Sequence, residues 1–472
     1  MGASPIQAPV TSLILAGVLY FFPDGFVALN ALTPLLILAS LAFAFALLRR
    51  EGRQLQALLA VMLSLASVHV YHATTQILSE PAYMFLSLAA LLTIETSTAK
   101  FDASGADQSA GRRKSISGAL LAGSLMVAAV MTRTIGIALA LAVLLVEAKS
   151  LVDKRRSPRL LLGSLAILAL VAVVLWDAYT SWAYVGVLFR ALFRNDPWLP
   201  DSGHLSLVGL VARMRDNLHL LPAAGAMLIE QLSTRRPKLD FLLQVVTTLS
   251  FVSGLVIVLR RRLSVTGLYV ALYVLIVAVH MVAGGYDEIR FMVPVAPFVF
   301  FYTIEAARHL VEYVKSRETS GWPAKMLLAA GAGYVIAFTG GGMLYATAGV
   351  RDAHQSPFGD YPIKRPSNYD AERMALWLKA HSGPDERYAA AQKDMFDVIT
   401  ERRGYDIHPG QTTPRDAFVA WLHQERVRYI LIDRTGLVVG DSLLAVARDY
   451  PSVFRLAAEL PGASIYEVRQ EH

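Results

Sequence analysis

The chain has 472 residues, of which 55% are hydrophobic and 17% charged, with a formal net charge of +7 and a mean hydropathy of +0.45. A soluble globular domain carries about 25% charged residues, so the composition excludes an ordinary soluble protein and points to a polytopic membrane protein. No cysteine is present, which excludes disulfides, thiol catalysis and cysteine metal sites. The basic excess lies mostly in short loops between apolar runs, which reads as membrane topology rather than nucleic-acid binding.

The opening MGASPIQAP has no basic n-region, so it does not read as a signal peptide. Ile6 stands where a myristoylation signal needs Ser or Thr. A bilayer core takes about 20 mainly apolar residues in helix. Runs of that kind lie at 26–48, 55–73, 79–97, 116–132, 134–150, 160–183, 240–259, 264–283, 291–312 and 326–347. These predict about ten transmembrane helices. The shorter apolar pieces 8–22 and 217–232 read as interfacial or re-entrant.

Loop charge sets the orientation. One set of loops holds Arg49, Arg50, Arg53, Lys100, Arg112, Arg113, Lys114, Lys149, Lys154, Arg155, Arg156 and Arg159, then Arg260 to Arg262, Lys315, Arg317 and Lys325. The short loops of the alternate set hold only Arg133 and Arg290. The long loop 184–239 is basic too, but long loops cross largely regardless of charge. The basic set is therefore expected in the cytoplasm. The start of the chain, Gln76–Glu80, Arg133, GGYDEIR and the tail are expected outside. With the start outside, the helix at 26–48 enters from the far side, by N-out insertion or behind a leading helix that this sequence does not contain.

The tail, 350–472, has ordinary soluble composition and forms a second domain after the membrane domain 1–349. YDAERMALWLKAH has helical period, RYAAAQ and RYILID read as strands with the helical DAFVAWLHQE between them, and RLAAEL and SIYEV are two further strands. A small extracytoplasmic α/β domain is expected.

Ionisable groups at membrane depth default to a functional reading. Glu80 opens an apolar run, Arg133 sits in a TRT turn, and Tyr286, Asp287, Glu288 and Arg290 stand in GGYDEIRF. Asp177 lies late in the run 160–183. Each has a second, local reading. Ser79-Glu80-Pro81 makes a good helix start, Arg133 can snorkel to the interface, and the GGYDEIR charges can pair among themselves. Their convergence on one membrane surface favours handling of a lipid phosphate. Arginine binds phosphate in bidentate fashion, and a carboxylate holds a divalent metal or takes a proton from a hydroxyl. In the tail, His408 and the pair Lys393-Asp394 read as structural. No P-loop, GxGxxG, HExxH or GxSxG is present.

Taken in order, these segments resemble the polyprenyl-phosphate-sugar-dependent glycosyltransferases of the GT-C fold class, relatives of the protein mannosyltransferases and the aminoarabinose transferases. PIQAP resembles the family's P-P-G-Y-P loop. YHATTQILSEPAYMFLSLAALL resembles the segment with a polar start and an acid opening the next helix, where Glu80 takes the acid's place. MTRTIG resembles a recurrent R-x-x-G helix start, RNDPWLPDSGHLSLVGLVARMRDNL a large later loop, and GGYDEIRFMVPVAPF the E-x-R-(F/Y)-x-x-P-x-x-P helix.

The resemblance implies a membrane enzyme that moves a sugar from a polyprenyl-phosphate donor to a glycan, lipid or protein acceptor by a single inverting displacement, and the high alanine content, the absence of cysteine and the style of the tail suggest a plasma membrane. It implies no nucleic-acid partner, and a divalent ion, Mg or Mn, as a candidate cofactor. Glu80 falls on the catalytic, donor-phosphate side by its matching position. Arg133 and Arg290 are expected to contact phosphate, and Asp287 or Glu288 to orient Arg290 or bind sugar hydroxyls. One departure matters. The family places an Asp, often Asp-Glu, in a loop ahead of the P-P-G-Y-P element, and this sequence has no counterpart. The expectations are a start assigned too late, a non-catalytic binding or scaffold relative, or another acid in the role, Asp24 being nearest. A transporter of lipid-linked sugar is the alternative from another class, but no inverted hydropathy repeat is read.

Overall fold

The computed structural model describes residues 9–22, 26–51, 54–74, 79–103, 108–152, 160–183, 205–217, 237–280, 288–317, 322–355, 366–390, 396, 400, 402, 404–407, 414–433, 438–460 and 462–469. They fall into two compact units, Pro5–Val350 and Arg351–His472.

The first unit is helical because a chain in lipid must satisfy its own backbone polar groups. Its helices are α1 (Pro9–Phe21), α2 (Phe26–Leu48), α3 (Gln54–Ala66), α4 (Val68–Thr74), α5 (Ser79–Ala103), α6 (Gln108–Val130), α7 (Ile137–Val152), α8 (Leu160–Ala183), α9 (Leu207–Asn217), α10 (Pro237–Arg261), α11 (Val265–His280), α12 (Ala296–Arg317) and α13 (Trp322–Gln355). Hydroxyls inside them donate back to the preceding turn, as Ser40 does to the Leu36 carbonyl at 2.6 Å and Ser64 to that of Ala60 at 2.7 Å. Exceptions are the Thr11 hydroxyl of α1 and Gln56 Oε1 of α3, which are buried without a hydrogen bond among the described residues.

Five stretches are long and apolar enough to cross a membrane: Ala31–Glu51, Thr134–Val152, Lys238–Arg261, Arg290–Arg317 and Trp322–Thr347. The expected span 55–73 is a broken one, α3 and α4 meeting at 64°. Shorter apolar helices cover Pro9–Phe21, Ile116–Val130, Leu162–Leu175 and Val265–Ala278. The protein is therefore membrane-embedded. Among the described residues five helices, or six with the bent pair, meet the span criterion, fewer than the about ten read from apolar runs. Helix α5 is in neither group, for a physical reason. It is enclosed by α2 and α6 and buried along most of its length, so it need not offer lipid an apolar surface. It carries acids near its outer turns instead.

The core of this unit is aromatic, with Tyr83, Tyr269, Tyr273, Phe251, Phe298, Phe300, Phe301 and Phe338 all nearly inaccessible. Two glycines set close helix approaches. A Cβ on Gly254 in α10 would lie 1.8 Å from the Tyr302 carbonyl oxygen of α12, and one on Gly342 in α13 would lie 2.1 Å from the Ala66 oxygen at the α3–α4 break. Buried Asn217 donates to the Ala278 carbonyl at 2.7 Å, tying α9 to α11. The remainder of the expected apolar piece 217–232 lies outside the described residues.

The second unit holds α14 (Pro366–His381), β1 (Arg387–Ala390), β2 (Gly404–Asp406), α15 (Arg415–Gln424), β3 (Val427–Asp433), α16 (Val438–Asp449), β4 (Phe454–Leu460) and β5 (Ala463–Val468). The sheet order is β2-β1-β3-β5-β4, with β1 parallel to both neighbours and β5 antiparallel to both. Side-chain alternation along β3 builds a core on each face. Ile430 and Ile432 pack with Phe418 and Leu422 of α15 and Leu443 and Val446 of α16, while Tyr429 and Leu431 pack with Met374 and Leu378 of α14. Strand β2 and helix α16 are additions to the sequence reading.

Candidate functional site

Glu80 is the second residue of α5. Its predecessor Ser79 and follower Pro81 suit a helix start, yet its carboxylate faces inward and is completely inaccessible. A buried carboxylate needs cationic partners, and two arrive from distant parts of the chain. Arg133 stands in the turn between α6 and α7, in extended conformation, and a one-turn 3-10 helix, Thr134–Gly136, follows it. Gly136 makes that reversal possible, because a Cβ there would lie 2.8 Å from the Val130 Cα. Arg290 lies in a second 3-10 segment, Glu288–Val295, which leads into α12.

Both guanidiniums pair with the same oxygen. Arg133 Nη1 and Arg290 Nε meet Glu80 Oε1, the latter at 2.6 Å. Both also lean on Phe291, with guanidinium carbons 4.9 Å and 5.6 Å from the ring centroid, which adds attraction to the ring face. Exposure rises outward, from Glu80 at 0% to the Arg133 side chain at 14% and Arg290 at 34%. Among the described residues neither arginine makes another ion pair or hydrogen bond. The triad carries one surplus positive charge, and each fork keeps N–H donors in hand.

A layer of hydroxyls supports the triad. Tyr83 and Ser87 follow Glu80 along one side of α5, and Tyr269 and Tyr273 stand one turn apart on α11. The Tyr83 and Tyr269 hydroxyls are 3.1 Å apart, and the Tyr83 and Tyr273 rings stack at 6.1 Å. The Tyr273 hydroxyl donates to the Phe291 carbonyl at 2.6 Å, holding the segment that carries Arg290. Sequence reasoning missed Tyr83, Ser87, Tyr269, Tyr273 and Phe291. The available signal was helical spacing: Tyr83 is one turn beyond Glu80, and Tyr269 and Tyr273 share a side of α11.

Of the residues singled out from the sequence, Glu80, Arg133 and Arg290 come together. Glu288 opens the 3-10 segment that carries Arg290. Asp177 lies in α8. Asp24, Tyr286, Asp287, Lys393, Asp394 and His408 lie outside the described residues. No group of three or more His, Asp or Glu suited to a metal occurs among the described residues. At Glu80 both guanidiniums crowd Oε1, and Oε2 meets only the Ser79 hydroxyl, at 3.5 Å.

No protein-family model and no curated protein matches this sequence. Solved structures do. ArnT from Cupriavidus metallidurans in the apo state aligns over 93% of this chain and 83% of its own, at 14% identity and TM-score 0.52. The same protein bound to undecaprenyl phosphate aligns over 97% and 87%, at 14% identity and TM-score 0.54. The chain has the GT-C fold. The alignment runs over nearly its whole length, the α/β unit included, so the expected combination of a helical membrane body and a small α/β domain is this fold.

Proposed function

We propose that the protein is an integral membrane glycosyltransferase that takes its sugar from a polyprenyl-phosphate donor. The observation that carries this reading is the pair of outward-leaning arginines fixed by one buried carboxylate. Arg133 and Arg290 hold the lipid phosphate through their remaining N–H groups. Their surplus positive charge stabilises the phosphate as it departs. The undecaprenyl phosphate bound by ArnT, a protein of the same fold, supports this choice of ligand.

In the proposed reaction an acceptor hydroxyl of a glycan, lipid or protein attacks the anomeric carbon. The bond from that carbon to the phosphate oxygen breaks, its electrons remain on the phosphate, and the hydroxyl proton passes to a base. The displacement is single and inverting. Glu80 is a positioning residue in this scheme, because both guanidiniums occupy its carboxylate. Asp287 and Glu288, just ahead of Arg290, are the proposed contacts to sugar hydroxyls. The loop charges support a plasma-membrane setting with the triad and the α/β unit outside.

The test uses the full-length protein in nanodiscs with undecaprenyl phosphate as the probe. Losing one charge-assisted bidentate contact of about 1.5–3 kcal/mol predicts roughly tenfold to hundredfold weaker binding for Arg133→Ala and for Arg290→Ala. Transfer from a lipid-linked sugar falls with it. Unchanged binding in both variants overturns the assignment.

A further inference from the structure

At the opposite end of α5 the membrane body opens into a small recess of about 30 Å³ that is open to its surroundings. Glu95 of α5 lines it, 15 residues beyond Glu80, which is about 22 Å along a helix axis. The hydrocarbon layer is about 30 Å thick, so the recess and the triad belong to opposite faces of the body. Arg50 and Glu51 from the turn after α2, Arg262 just past α10, Thr266 of α11 and Tyr302 of α12 complete its polar lining, and leucine, valine and phenylalanine side chains form the rest.

Three observations point to an occupant. The four charges balance, with two guanidiniums and two carboxylates around one opening. The lining also includes the apolar side chains of Leu47, Leu48, Val258 and Phe301. And Tyr302, only 2% exposed, has a hydroxyl with no hydrogen bond among the described residues, although Glu51 and Glu95 lie within electrostatic reach. Its oxygen is not sealed off from the recess, so a ligand oxygen there can accept its hydrogen. A purely anionic headgroup would satisfy the arginines and repel from the glutamates.

We propose that this recess binds a phosphatidylethanolamine headgroup from the leaflet at that face. The phosphate oxygens lie between Arg50 and Arg262 and accept from Tyr302, the primary ammonium donates to Glu51 and Glu95, and an acyl chain runs along the apolar side. The recess shares no residue with the triad, so this inference stands apart from the proposed transferase activity.

The test places the full-length protein in nanodiscs of phosphatidylcholine alone, or doped with phosphatidylethanolamine or phosphatidylglycerol. Mass spectrometry measures the lipid retained on gentle extraction, and thermal midpoints are recorded in each disc. Phosphatidylethanolamine is expected to be retained preferentially and to raise the midpoint. Phosphatidylcholine has no N–H to offer the glutamates, and phosphatidylglycerol has no cation. Glu95→Gln and Arg262→Gln each reduce that retention about tenfold, and Tyr302→Phe about fivefold, the equivalent of one hydrogen bond. Tyr302→Phe keeps the ring and fills the same space, so its midpoint in pure phosphatidylcholine stays at the wild-type value and separates binding from folding. Equal retention of the three lipids, preference for phosphatidylglycerol, or wild-type retention by Tyr302→Phe overturns the proposal.

Discussion

Replacing Glu80 with Gln removes one charge while keeping the side chain's size, and two guanidiniums then face each other without their shared anion. Deleting one partner of a buried ion pair costs about 3–5 kcal/mol. The pair with Arg133, whose side chain is 14% exposed, falls in that class, whereas Arg290 at 34% exposure is closer to a surface pair, worth about 0–1 kcal/mol. The expected loss is about 3–4 kcal/mol, dominated by Arg133. The variant should nevertheless keep its affinity for a polyprenyl phosphate, because the net charge of the site rises. Undecaprenyl phosphate should therefore raise the thermal midpoint of Glu80→Gln more than that of the wild type. The assay is unfolding of the full-length protein in nanodiscs, with and without the lipid, in a double-mutant cycle with Arg133→Gln. The double variant should lose at least about 1 kcal/mol less than the sum of the single losses. A Glu80→Gln protein that unfolds at the wild-type midpoint, additive losses in the cycle, or loss of lipid binding with stability intact would refute the reasoning. The last outcome would return Glu80 to a direct role with substrate.

Tyr273→Phe removes the bond to the Phe291 carbonyl and should cost about 1 kcal/mol of stability, with a smaller effect on lipid-phosphate binding than Arg290→Ala, read by midpoint and titration. Gly254→Ala forces a Cβ to 1.8 Å from a backbone oxygen of α12. Since backbone cannot swing aside, α10 and α12 must separate, and a loss of at least about 1–3 kcal/mol should show as reduced folded yield and a lower midpoint. In the α/β unit, burial and the hydrogen bond that the Tyr405 hydroxyl donates to Glu425 raise its pKa above the usual 10.0. The folded form then holds the proton more tightly than the unfolded, so this contribution is present at neutral pH and is lost as pH climbs from about 10 through the folded value. Tyr405→Phe should flatten that alkaline loss, measured as midpoint against pH, while the wild type retains it.

The helices were legible wherever an apolar run had to close its own hydrogen bonds. The run 26–48 coincides with α2, and 160–183 with α8. The break inside 55–73 was not legible, because no Gly or Pro marks it near Ser67. What accompanies the bend is tertiary, a glycine of α13 some 270 residues away drawn up against the Ala66 carbonyl. Strand β2 spans three residues, too few to show a period, and it forms on the edge that β1 offers.

The site was legible for a different reason, the expense of charge. Glu80, Arg133 and Arg290 each have a local explanation as helix start, interface anchor or wetted loop, and in isolation none of those is weaker than a functional one. A completely buried carboxylate changes the weighing. It cannot stay ionised alone, so the α5 start, the α6–α7 turn and the 3-10 segment before α12 must arrive together for any of them to be stable. The hydroxyl layer remained hidden because Tyr83, Tyr269 and Tyr273 are indistinguishable from core aromatics until their oxygens are placed. Once placed, they explain why the α12 lead-in is held by its backbone at Phe291. Anchoring there sets the backbone from which Arg290 Nε meets Glu80, and at 34% exposure the Arg290 side chain is the most accessible member of the triad.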